Sequence, residues 1–129
     1  VTFFKALCKY IKANIATDDT NEFYPVKPPQ NASLPYTTFN IEEDSTDPTH
    51  LGGYPSGSAV VQFDFFDQTI AGQDARVKAF KDAFVGQSFD LDSSVQMAFC
   101  ESYNEQSNFG DLEGLVIRSI DLRIRYNFK

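Results

Sequence analysis

The end of the chain most constrains what it can fold into. Ile120, Leu122, Ile124, Tyr126 and Phe128 alternate without a break with Asp121, Arg123, Arg125 and Asn127. A period of two sends one set to one side of a strand and the other set to the opposite side. The pattern predicts a long strand over 115–128 with one buried face and one wet or interface face. Such a sheet must be covered on its apolar side, and the rest of the sequence has to supply the cover.

Two segments have the right period. Phe4, Leu7, Cys8, Ile11 and Ile15 recur at helical spacing, with Lys5, Lys9 and Lys12 on the opposite face. Thr2 is placed to cap this helix, which is expected to end near Ala16. Val77, Phe80 and Phe84, flanked by Ala79 and Ala83, predict a second helix over 73–85 with Gly86 as its stop. Arg76, Lys78, Lys81 and Asp82 form its expected wet side.

Between and after these helices the sequence reads as strands. Val61, Phe63 and Phe65 oppose Gln62 and Asp64 in a strand over 58–67. Thr37, Phe39 and Ile41 oppose Tyr36, Thr38 and Asn40 in one over 36–42, rich in β-branched and aromatic residues. Another covers 94–101. A short edge strand over 22–26 leads into a segment whose prolines forbid a helix and a central strand alike. Residues 43–57 read as one long loop, with three glycines and two prolines. A loop of that length suits a contact with a partner. Residues 104–114 read as a polar, glycine-bearing turn. The expected architecture is α+β: two helices packed on one face of a mostly antiparallel sheet, a two-layer sandwich, in a single domain over 1–129.

Composition narrows the function. A chain of 129 residues reaches the usual size of one domain. Its formal net charge of −7 argues against a general nucleic-acid binder or a protein held electrostatically on anionic lipid. No apolar run is long enough for a membrane helix. The opening residues lack the order of a secretory signal. Cys8 and Cys100 sit among apolar neighbours and read as buried free thiols. One His and two Cys do not make a structural zinc site. Thirteen Phe and no Trp point to a Phe-built core, with Phe4, Phe63, Phe65, Phe80, Phe84, Phe99 and Phe128 expected at the helix–sheet contact.

Catalytic patterns are missing. His50, the one histidine, lies in a Pro/Gly loop with nothing to fix it beside a nucleophile. Glu42, Glu43, Asp44 and Asp47 read as a solvated run and lack the spacing of a calcium loop. No glycine pattern precedes a helix as phosphate binding requires. Arg123 and Arg125, with Arg118 nearby, form a basic stretch that either pairs with carboxylates such as Asp64 or faces DNA or an acidic partner.

The order of these pieces resembles the tail terminator (tail completion, or minor tail protein) family of long-tailed bacteriophages. The carrying residues are the first helix, Phe23-Tyr24-Pro25, the Pro-rich segment 26–33, Leu34-Pro35-Tyr36-Thr37-Thr38-Phe39, and Ala59-Val60-Val61-Gln62-Phe63-Asp64-Phe65-Phe66-Asp67 followed by a helix rich in Ala and Phe. The resemblance implies assembly rather than catalysis, with no cofactor and no metal. It implies a homo-oligomeric ring, commonly a hexamer, at the head-proximal end of the tail tube. That ring ends tube polymerisation and joins tail to head. Its partners would be other copies of the chain, the tail tube protein and a head–tail connector or head-completion protein. DNA would pass without specific binding, and no membrane is involved. The chain would be located in the neck of the virion, and in the host cytoplasm during assembly. Alternatives are a head-completion or connector protein, and a small-ligand-binding α+β domain.

Aromatics and prolines outside the expected core are the interface candidates: Phe23, Tyr24, Pro25, Pro28, Pro29, Tyr36, Tyr54 and Phe109, together with His50. Arg118, Arg123 and Arg125 are the candidates for a lumen or ion-pair face.

Overall fold

The computed structural model describes residues 3–15, 22–25, 34–47, 56–108 and 115–128. In chain order the elements are α1 (Phe3–Asn14), β1 (Glu22–Pro25), β2 (Tyr36–Asp47), β3 (Ser56–Asp67), α2 (Ile70–Phe84), β4 (Phe89–Asp90), β5 (Val95–Asn108) and β6 (Val116–Phe128). Among the described residues the strands form one six-stranded sheet in the order β1-β2-β3-β6-β5-β4. Only β1–β2 is parallel; the other neighbours run antiparallel. The fold is α+β, as the alternating and helical periods predict. No helix among the described residues is long and apolar enough to cross a membrane.

Both helices pack on one face of the sheet. Alternation delivers Phe39 of β2, Phe63 and Phe65 of β3, and Ile120, Leu122, Ile124 and Tyr126 of β6 to that face, all fully buried. Phe23, Phe39 and Phe63 stack in sequence across β1, β2 and β3, with ring centroids 5.1 and 5.8 Å apart. Phe80 of α2 closes on Phe63 and Phe65, at 5.2 and 5.1 Å. From α1, Phe4 stacks on Phe39 at 4.8 Å and Phe3 on Tyr126 at 4.3 Å. Gly57 sits where a Cβ would lie 2.5 Å from the Tyr126 ring, so that close approach needs glycine.

Polar contacts fix α2 against the sheet. The Thr69 hydroxyl accepts from the Gly72 N–H and caps the helix, three residues earlier than the apolar period indicates. Gln73 is fully buried, and its Nε2 donates to the carbonyls of Phe65 and Val116 at 2.8 and 3.0 Å. Arg76, expected on the wet side, is buried instead. It donates to the Phe66 carbonyl and the Thr37 hydroxyl and lies 3.7 Å from Asp67. A long cation can be buried here because three acceptors meet its guanidinium. Gly86 ends the helix at φ 76°, and its N–H donates to the Cys100 carbonyl at 2.8 Å.

Several boundaries differ from expectation. β2 runs on to Asp47 and β3 starts at Ser56, so residues 43–47 and 56–57 of the expected 43–57 loop are hairpin strand. β5 extends to Asn108 through residues expected to turn. The two-residue β4 has too short a period to be read. The largest correction is Phe99, which is 47% exposed rather than in the core. The β5–β6 register shifts between Met97 and Phe99, so one extra residue turns Phe99 outward and Cys100 inward. Cys100 is buried and Cys8 half-buried, and both are free thiols. Burial pushes the Cys100 thiol up to about 12, with the Glu101 charge adding to the effect, so it stays protonated and unreactive at neutral pH. Thr2, Ala16, Val26 and the centre of the expected loop lie outside the described residues.

Candidate functional site

Both helices cover one face, and among the described residues nothing packs on the other. That open face is the candidate site, and strand register assembles it row by row. At one end Tyr36 of β2 pairs with Phe66 of β3, which pairs with Ile117 of β6. Tyr36 stacks on Phe66 at 4.8 Å, and Tyr24 of β1 meets Tyr36 edge-on at 6.1 Å. All four side chains are half-buried. The next rows are Thr38–Asp64–Ser119 and then Asn40–Gln62–Asp121–Asn104. Beyond them come Val60–Arg123–Glu101 and Ser58–Arg125–Phe99. The face thus runs from an aromatic row, through a carboxylate-bearing middle, to an arginine end beside an exposed phenylalanine.

The middle is negative because strand register stacks like charges. Asp64 and Asp121 lie on neighbouring strands, one row apart. The β2–β3 register steps between Ile41 and Glu43, and the unpaired Glu42 feels both Asp121 and Asp64. Burial, then the charges of Asp121 and Asp64, pushes the Glu42 carboxyl above its ordinary range. Burial also raises Asp121, the Asn104 hydrogen bond pulls back, and the Asp64 charge adds to the rise. Asp64 is better served, accepting from the Ser119 hydroxyl and from Gln62 Nε2. One Asp121 carboxylate oxygen is buried with no partner.

A raised folded-state pKa means the folded chain binds more protons than the unfolded one just above the ordinary Asp value of about 3.9. Stability therefore falls as pH rises through that window, and the loss persists at neutral pH. Asp121→Asn keeps the shape and removes the charge. It should raise the thermal midpoint at pH 7 and flatten the decline between acid and neutral pH. An unchanged or lower midpoint at pH 7 would show that the buried Asp121 charge does not destabilise the fold.

The arginine candidates separate. Arg123 and Arg125 share the open face, as their spacing predicts, and Arg123 lies 3.8 Å from Glu101. Asp64, the expected partner, is taken by Ser119 and Gln62 instead. Arg118 is corrected to the helix face by its even register, where it meets Asp74 of α2 at 2.7 Å and Glu105 at 3.9 Å. It ties α2 to the sheet and does not belong to the same surface as Arg123 and Arg125.

The interface candidates divide as well. Phe23 is 6% exposed and stacked on Phe39, so it belongs to the core. Tyr24 and Tyr36 stand together in the aromatic row. Pro25 ends β1. Pro28, Pro29, His50, Tyr54 and Phe109 lie outside the described residues. Sequence reading missed Phe66, Ile117 and Phe99 as members of the open face. Period alone placed Phe66 opposite Phe65, which was the available signal; the bulge that turns Phe99 outward has none. Among the described residues no group of three metal-ligating side chains converges.

Comparison with family models and with curated proteins found no match. Comparison with solved structures did. A chain described as "Virion of native gene transfer agent (GTA) particle" superposes with a TM-score of 0.66 and 15% identity, over 97% of this chain and 94% of that one. At that identity the likeness shows a shared fold over nearly the whole of both chains.

Proposed function

We propose that the chain is a structural protein of a phage-like virion and acts as a tail terminator. In this reading it forms a ring, six copies in the family it resembles, at the head-proximal end of the tail tube. The ring stops tube growth and offers the surface that joins tail to head. The carrying observation is the fold likeness to a gene transfer agent virion chain, which spans nearly both chains rather than one motif. The Leu34-Pro35-Tyr36 segment and the long third strand support the finer assignment. An open sheet face with an aromatic row also suits a subunit that works by contact. Pro28, Pro29, His50, Tyr54 and Phe109 remain proposed contact residues on the sequence alone.

The role is non-enzymatic in this reading. A ring that conducts DNA without holding it gains from net negative charge, and the chain carries −7. Electron microscopy of the purified protein, alone and mixed with tail tubes, tests the proposal. The expected result is a ring seated at one end of each tube. Rings on portal complexes and never on tubes would place the chain as a head-completion protein. Bare tube ends with no ring anywhere would overturn the structural reading.

A further inference from the structure

We infer that the open sheet face of one copy receives the outer face of α1 from a second copy, lysine stripe against carboxylate row. The inference rests on the ring reading above and names the contact that would close such a ring.

The chain is strongly acidic, yet α1 contains three lysines and no acidic residue. Lys5, Lys9 and Lys12 are exposed and follow one stripe opposite the buried Phe3, Leu7 and Ile11. Seven residues of helix make that stripe about 10 Å long. The carboxylates of Glu42, Asp64 and Asp121 come from three adjacent strands, and two strand spacings also span about 10 Å. The two patches match in length and oppose in sign. They lie on opposite sides of the molecule, since α1 packs on the covered face of the sheet. A contact between different patches is head-to-tail, the type that closes into rings.

Each patch has neighbours that limit what it does alone. Asp92, beside the C-terminal half of α1, feels Lys9, and Arg123 and Arg125 border the carboxylates within the open face. These set register: the lysine stripe is attracted to the middle of the face and repelled from its arginine end. A helix laid on the open face also shields the half-buried Phe66, Tyr36 and Ile117 row nearby.

Two exposed positions allow a charge swap, Lys12→Glu on the helix and Glu42→Lys on the sheet. Sedimentation velocity at low and high salt reads association, and far-UV circular dichroism checks folding. The wild-type protein should self-associate more weakly as salt rises. Each variant alone should associate at least about tenfold more weakly, because like charges then meet. An equal mixture should recover association, since each helix then meets a sheet face of opposite charge. Should Glu42→Lys fail to fold, Asp121→Asn replaces it, with a weakened but salt-dependent association expected. Rings that persist in both variants overturn this contact and leave the ring reading standing. A mixture that fails to recover also overturns it. A wild-type protein that stays monomeric at every concentration and on tubes overturns both.

Discussion

Phe80→Ala should cost about 3–5 kcal/mol of folding stability, the usual range for deleting a buried phenylalanine. The ring is 1% exposed and meets Phe63 and Phe65 at 5.2 and 5.1 Å and Phe23 at 6.4 Å. Three flat rings held by strands from below have little freedom to collapse into the space it leaves. Both the transfer term and the cavity term are therefore lost. The check is urea unfolding: a midpoint shifted far down with an unchanged slope. Phe99→Ala is the contrast. Its ring is 47% exposed on the open face, and its removal should change stability by about 0.5 kcal/mol or less. Equal losses at the two positions would mean that the aromatic core is not where the structure places it.

That contrast shows where sequence reading succeeds. Period two placed Phe63, Phe65, Ile120, Leu122, Ile124 and Tyr126 on the buried face, because one residue out of register would have exposed them all. Period 3.6 did the same for Leu7, Ile11, Phe80 and Phe84. Phe99 failed because a bulge changes parity without changing composition, so Val95 and Met97 point inward and then Cys100 does. The extended hairpins failed for a related reason. Asp44, Ser45, Thr46 and Asp47 have loop composition, yet they pair with Ala59, Ser58, Gly57 and Ser56 because the central strand offers them a free ladder. Tertiary pairing overrides local preference there.

The candidate site was half legible. Alternation placed Arg123, Arg125 and Asp121 together on the open side, and Tyr36 with Thr38 and Asn40. It did not join Glu42 to Asp121, because that depends on strand order and on a second bulge. The prolines that follow Phe23 closely point to an interface residue. Its burial comes from parallel pairing with β2, which sets its ring on Phe39. Parallel pairing between segments this close in sequence leaves no periodic trace.

Arg76→Ala should be the most costly polar change, at about 3 kcal/mol, near the lower end of the range for breaking a buried pair. Arg76 and Asp67 are 8% and 6% exposed. Burial pulls the guanidinium below its ordinary value, and Asp67 offsets part of that. Its Nη1 donates to the Phe66 carbonyl at 3.1 Å, and its Cζ lies 5.9 Å from the Phe65 ring centroid. Truncation leaves Thr37 and that carbonyl without their donor and Asp67 without its cation. The Asp67 carboxylate keeps the N–H groups of Gln68 and Thr69, at 2.6 and 3.2 Å, which is why the loss stays near the lower end. Arg76→Met retains most of the stem packing and separates that term from the charge. Combined with Asp67→Asn in a double-mutant cycle, it should give a coupling above about 1 kcal/mol. Losses that simply add would mean that the 3.7 Å separation carries no interaction and that Arg76 holds α2 through the Phe66 carbonyl and the Thr37 hydroxyl instead.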